Sequence, residues 1–128
     1  MFMLAYESLT SHRRIRSSIE ARGPSLGNGN DSHRWVVHKG VKYRIGDYVC
    51  YSYDLDPCFA RITSLSIHGS NLNVSLKRCE TLHYSEHLIA YAVRNLENEI
   101  LTPVNALSKP LNNIVKNSVR FVSSEQLA

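Results

Sequence analysis

Three groups of side chains in this sequence are of types that can do chemistry. The first is Cys79-x3-His83-x3-His87. Residues four apart share a face of a helix or of a strand, so a thiolate and two imidazoles could meet one zinc ion. Cys50 or Cys58 would be the fourth ligand of a tetrahedral site. No C-x2-C pair accompanies the set, and Tyr84, Ser85 and Glu86 between the histidines form no stiff scaffold. The reading is therefore no metal, with Cys79, His83 and His87 as the set to locate. The second group is Asp54 and Asp56, which resemble a catalytic carboxylate pair but flank Leu55 just before Pro57, as a solvated turn would. The third is aromatic. Trp35, Tyr43, Tyr48, Tyr51, Tyr53 and Phe59 crowd into one stretch, and converging rings could cage a methylated ammonium by cation–π attraction. Asp47, Asp54 or Asp56 would then help to hold the cation. Core filling is the favoured reading of these rings, because buried aromatics dominate small β cores.

Nucleophilic catalysis needs a Ser or Cys activated by a His and an orienting acid. The sequence has no G-x-S-x-G, no H-E-x-x-H and no glycine-rich phosphate loop. A non-enzyme without a cofactor is expected. The formal net charge of +4 is a mild basic excess, and its one cluster is His12-Arg13-Arg14-Ile15-Arg16. Arg13, Arg14 and Arg16 are the candidates for contact with nucleic acid. Three cysteines, an odd number without a short-spaced pair, fit a reduced intracellular setting. No apolar run approaches the ~20 residues that span a bilayer, so no membrane is expected. Phe2, Met3 and Leu4 lack the basic flank of a secretory signal.

The segments that carry these groups read as strands. With 128 residues and 43% hydrophobic content, the chain can bury one core, and its seven tyrosines, six glycines and four prolines suit a β-rich domain. Arg34 to His38 and Val41 to Arg44 form a hairpin about Lys39-Gly40, and Gly46-Asp47 turns the chain into a strand from Tyr48 to Tyr53. On that strand Tyr48, Cys50 and Ser52 face one way, and Val49, Tyr51 and Tyr53 the other. Cys58 to Ile67 is a long strand whose alternation slips near Ser64, the mark of a bulge. Leu72 to Leu76 is the next strand, and the pattern weakens after Lys77 to Glu80. His87 to Val93, Leu96 to Leu101, Leu111 to Lys116 and Val119 to Val122 complete the strand set. Between them Thr102 is expected to N-cap a single helical turn with Pro103 at its first position. Residues 1–32 read as an arm, a short helix or a tail, with a Gly/Asn-rich linker. Residues 33–123 read as the domain and 124–128 as a C-terminal tail.

The order of these features resembles the bromo-adjacent homology (BAH) domain. Tyr43-Arg-Ile-Gly-Asp-Tyr-Val49 is similar to that family's opening "Y-x-V-G-D-x-V", and Pro57-Cys-Phe-Ala-Arg-Ile62 to its "P-Y-x-A-R-I". Arg78-Cys79-Glu80-Thr81 resembles "R-P-E-D/E-T" with Cys79 in place of proline. His87-Leu-Ile-Ala90 stands where the family has "E-L-F-x-S", and Pro103 to Leu107 resembles the turn before its last strand. The resemblance implies a mostly β, SH3-like bent barrel with short helical turns and an N-terminal extension. It also implies a non-catalytic chromatin module in the nucleus, binding a histone, a nucleosome surface or another nuclear protein. The cage positions of histone-reading members are held here by Cys58 and Ser75-Leu76-Lys77, so methyl-lysine reading is demoted. The expected partner surface is Tyr48, Tyr51, Tyr53, Asp54 and Asp56. Two alternatives stand beside it: a basic SH3-like domain that binds nucleic acid, and a scaffold subunit that assembles through its N-terminal arm.

Overall fold

The computed structural model of the chain describes residues 18–27 and 32–127. Nine strands are present among them, all paired antiparallel. A three-stranded sheet holds β1 (Ile19–Arg22), β2 (Trp35–His38) and β3 (Val41–Arg44), in that order. A six-stranded sheet holds β4 (Tyr48–Tyr53), β5 (Pro57–His68), β6 (Asn71–Ser85), β7 (Ala90–Pro103), β8 (Asn113–Lys116) and β9 (Val119–Ser123). Its spatial order is β4-β5-β6-β7-β9-β8. The mostly β expectation holds.

The hairpins follow from local chemistry. Lys39-Gly40 between β2 and β3 has φ of 50° and 80°, and Asn117-Ser118 between β8 and β9 has φ of 52° and 66°. Paired positive φ values match the right-handed twist of the flanking strands, which is why two-residue loops adopt them. The β5 alternation slips between Ile62 and Ser64, as the sequence pattern indicates, and Leu65 and Ile67 thereby return to the core face.

Two apolar clusters hold the molecule together, and β4 feeds both. Val49 joins Val36, Tyr43, Ile62, Leu65, Val74 and Leu76 between the two sheets. Tyr48 and Cys50 point to the opposite face, joining Phe59, Val93, Leu111 and Val122. The members of this second cluster come from the six-stranded sheet itself or from Leu111, so the sheet curls around them. Tyr48 and Leu111 form an antiparallel bridge at the point where its two ends approach. Leu111 N–H donates to the Tyr48 carbonyl at 2.8 Å, and Ser108 N–H to the Cys50 carbonyl at 2.9 Å.

Four sequence expectations are corrected. Ile19 to Arg22 belong to a strand rather than to a helix or tail, because they pair with β2. Beyond them the expected linker is packed at Gly23, where a Cβ would stand 2.6 Å from the Trp35 indole Nε1. β6 continues to Ser85, past the place where its alternation fades. Shifts between Lys77 and Cys79 and between Thr81 and His83 break the side-chain pattern while the backbone ladder goes on. β7 is one strand from Ala90 to Pro103, not two, and Glu86 to Ile89 form a turn instead of the start of a strand. Thr102 does not cap the following 3-10 turn (Val104–Ala106). The cap position falls on Pro103 without a side-chain bond, because Thr102 is still paired with Val74 in the sheet. The first 17 residues, with most of the expected arm, lie outside the described residues.

Phe59 is fully buried in the second cluster, with its ring centroid 5.5 Å from that of Tyr91. Phe59→Ala is expected to cost about 3–5 kcal/mol, read as a lower denaturant midpoint with an unchanged slope.

Candidate functional site

The strand expected to present the partner surface turns its residues to different places. Tyr48 is buried at 2% exposure, because its parity on β4 points it into the second cluster. Its hydroxyl donates to Asn95 Oδ1 at 3.3 Å, and the Arg120 guanidinium lies 5.1 Å from its ring centroid. The β4–β5 register then shifts between Cys50 and Ser52. Tyr51, at this bulge, packs against the larger cluster, and its hydroxyl accepts a hydrogen bond from Arg78 Nε at 2.9 Å. Past the bulge, Tyr53 is 59% exposed. Asp54 and Asp56 form the turn read from sequence, with Asp54 N–H donating to the Asp56 carbonyl at 3.1 Å.

The tip of that turn carries Leu55 at 96% exposure. A shallow cavity of ≈ 290 Å³ lies beside it, lined by Tyr51, Asp54, Leu55, Asp56 and Arg78 among others. On the other face, Tyr91 meets Tyr84 at a tilt of 59° with centroids 4.8 Å apart, and Tyr84 is 43% exposed. Burial first, then the nearby Asp56 carboxylate and Tyr84, raise the Tyr91 phenol above its ordinary pKa. Tyr53, Leu55, Asp56, Tyr84 and Tyr91 thus gather at one end of the curled sheet. Tyr84 and Tyr91 were missed by sequence reasoning. They lie far along the chain and arrive only through the pairing of β6 with β7, for which the local pattern carries no signal.

The metal-like set is not brought together. Cross-strand partners share a face of a sheet. Cys79 lies opposite Asn95 and Thr81 opposite Val93, but after the shift at Leu82 His83 lies opposite Ala92. The extra residue reverses the parity, so His83 projects to the face away from Cys79, where its ring meets Phe121 edge-on. His87 sits in the turn after β6. Among the described residues, no group of three or more His, Cys, Asp or Glu side chains could hold a metal ion.

Arg13, Arg14 and Arg16 lie outside the described residues. A different basic pair stands around Tyr48. Arg61 is its partner across β4 and β5, and Arg120 lies over its ring. Burial pushes the Cys79 thiol up to about 11, against the lowering influence of Arg61 and Arg120. Its S–H donates to Asn95 Oδ1 at 3.4 Å.

The thiol value sets an alkaline test. A folded pKa above the ordinary 9.0 means that the folded state holds the proton more tightly than the unfolded chain. The resulting stability is complete below pH 9.0 and is lost as the pH rises towards about 11. Cys79→Ser is expected to flatten the fall of melting temperature across that window. In the unaltered protein, alkylation of Cys79 should stay slow until the pH approaches the upper limit.

No protein-family model matches this chain, and no curated protein matches it either.

Proposed function

We propose that this chain is a non-catalytic, BAH-like interaction domain of chromatin. In this reading it is an SH3-like bent barrel that works in the nucleus by binding a histone, a nucleosome surface or another nuclear protein. The order of the sequence motifs supports this reading, as does the bridge from β4 to Leu111 that draws the curled sheet towards closure. The observation that carries it is the turn tip. Leu55 is 96% exposed, and Tyr53, two residues before it, is 59% exposed. Core packing does not account for such apolar side chains held at a loop tip, and adjacent exposed apolar groups mark interaction sites. Asp54 and Asp56 beside them suit a partner segment that carries lysine or arginine, such as a histone tail.

The test uses the full chain against reconstituted nucleosomes, a histone-peptide array and nuclear extract. Leu55→Ser combined with Tyr53→Ser is expected to cost about 2 kcal/mol of binding, roughly thirtyfold in affinity. Both positions are exposed, so the melting temperature should stay unchanged. Binding that survives the double substitution contradicts the assignment of this surface. A steep loss of binding with added salt that is indifferent to these two residues would point to phosphate contacts instead.

A further inference from the structure

The inner face of the curled sheet ends beside a strand edge and an arginine that have, among the described residues, no pairing strand and no acid. Along β8 the backbone groups alternate in direction. The Asn112 carbonyl accepts from Ser123 N–H at 2.8 Å, on the β9 side, while Leu111 N–H points the other way and donates to the Tyr48 carbonyl at 2.8 Å. By that alternation Asn113 and Val115 also direct their N–H and C=O groups outward. Among the described residues nothing pairs with them. β4 would continue alongside, but the chain leaves that line at Gly46 and Asp47 to hydrogen-bond with Ile62. A gap two residues long is left on the β8 edge.

The side chains facing this gap carry positive charge that no acid among the described residues pairs with. Arg120 lies across the sheet from Val115, and its Nη1 donates to the Asn113 side-chain oxygen at 2.8 Å. Arg120 has no ion pair among the described residues. Arg61, opposite Tyr48, has none either, and its buried Nε has no hydrogen-bond partner among the described residues. A guanidinium presents five donors, so one bond to Asn113 leaves most of Arg120 available. Beside it opens a cavity of ≈ 350 Å³ lined by Leu82, Val93, Arg94, Asn95, Val115 and Arg120, among others. Arg94 is already paired with Glu80.

We propose that the outer edge of β8 binds an extended acidic peptide of a partner protein. The peptide would pair with the backbone of Asn113 and Val115 and place a carboxylate on Arg120. A residue opposite Asn113 or Val115 points its side chain to the same face as theirs, next to Arg120 and over the cavity. The lining there is partly aliphatic, which suits alternating acidic and apolar side chains better than a phosphate backbone. The chain's own residues 1–17 have the wrong sign, with Arg13, Arg14 and Arg16 against the single acid Glu7. This site does not depend on the Leu55 tip.

The test is titration of the full, isotope-labelled chain with a blocked peptide of alternating Val and Glu. A twin peptide with Gln for Glu, a short DNA duplex and inorganic phosphate serve as comparisons. The Glu peptide is expected to bind at least about tenfold more tightly than its Gln twin and to shift the Asn113, Val115 and Arg120 amides most. Arg120→Gln should abolish the difference between the two peptides. Val115→Pro removes only an outward N–H, and should weaken both. Equal binding of the two peptides, no binding of either at millimolar concentration, or capture of the duplex or phosphate alone would overturn the proposal. So would amide shifts elsewhere on the surface, a readout that holds even where a variant fails to fold.

Discussion

Two backbone hydrogen bonds at one corner organise this molecule. Gly46 N–H donates to the Ile62 carbonyl, and Ile62 N–H donates to the Asp47 carbonyl, both at 2.8 Å. They tie the exit from the small sheet to the middle of β5 in the large one. Gly46 has φ of 98°, a conformation that side chains with a Cβ rarely adopt, and Asp47 Oδ2 accepts the Arg44 N–H at 2.8 Å to close the turn. From that fixed point the parity of β4 is set. Val49 must then face the cluster between the sheets, and Tyr48 the interior of the curl. A slip of one residue would exchange the two and drive each into the cluster packed around the other.

The same corner explains why the sheet meets itself only briefly. β4 can pair with Leu111 at Tyr48, but Gly46, the next residue that would face β8, gives its N–H to Ile62 instead. The chain therefore trades a longer contact with β8 for the junction between its sheets. Natural sheets blunt open edges with charge or shortness. β8 is short, four residues ending in Lys116, yet Ile114 and Val115 on it stay about half exposed, at 49% and 54%.

Much of this was legible in the residues. Val, Ile, Tyr and Trp in alternation marked β2 to β5, the Lys39-Gly40 hairpin and the slip near Ser64. Those signals are local and need only one strand and its neighbour. What escaped was set by distant pairing. β6 runs on past Glu80 because β7 accompanies it, although its own side chains cease to alternate. The spacing of Cys79 and His83 suggested a shared face, and one extra residue at Leu82 sent them apart. Of the expected partner residues, Tyr53, Asp54 and Asp56 do surround one exposed tip. Tyr48 stood both among the expected core rings and on the expected partner surface, because its face could not be assigned before the curl was known. Arg61 and Arg120 each look ordinary in sequence, and only the fold brings one opposite Tyr48 and the other over its ring.

β4 meets the segment before β8 at Leu111, and among the described residues the rest of that edge is open. Residue-resolved amide hydrogen exchange on the isolated protein tests it most directly. Slow exchange is expected at Leu111, Ile114 and Lys116, whose N–H groups are taken, and fast exchange at Asn113 and Val115. Slow exchange at Val115, or exchange at Leu111 as fast as at Val115, would contradict it.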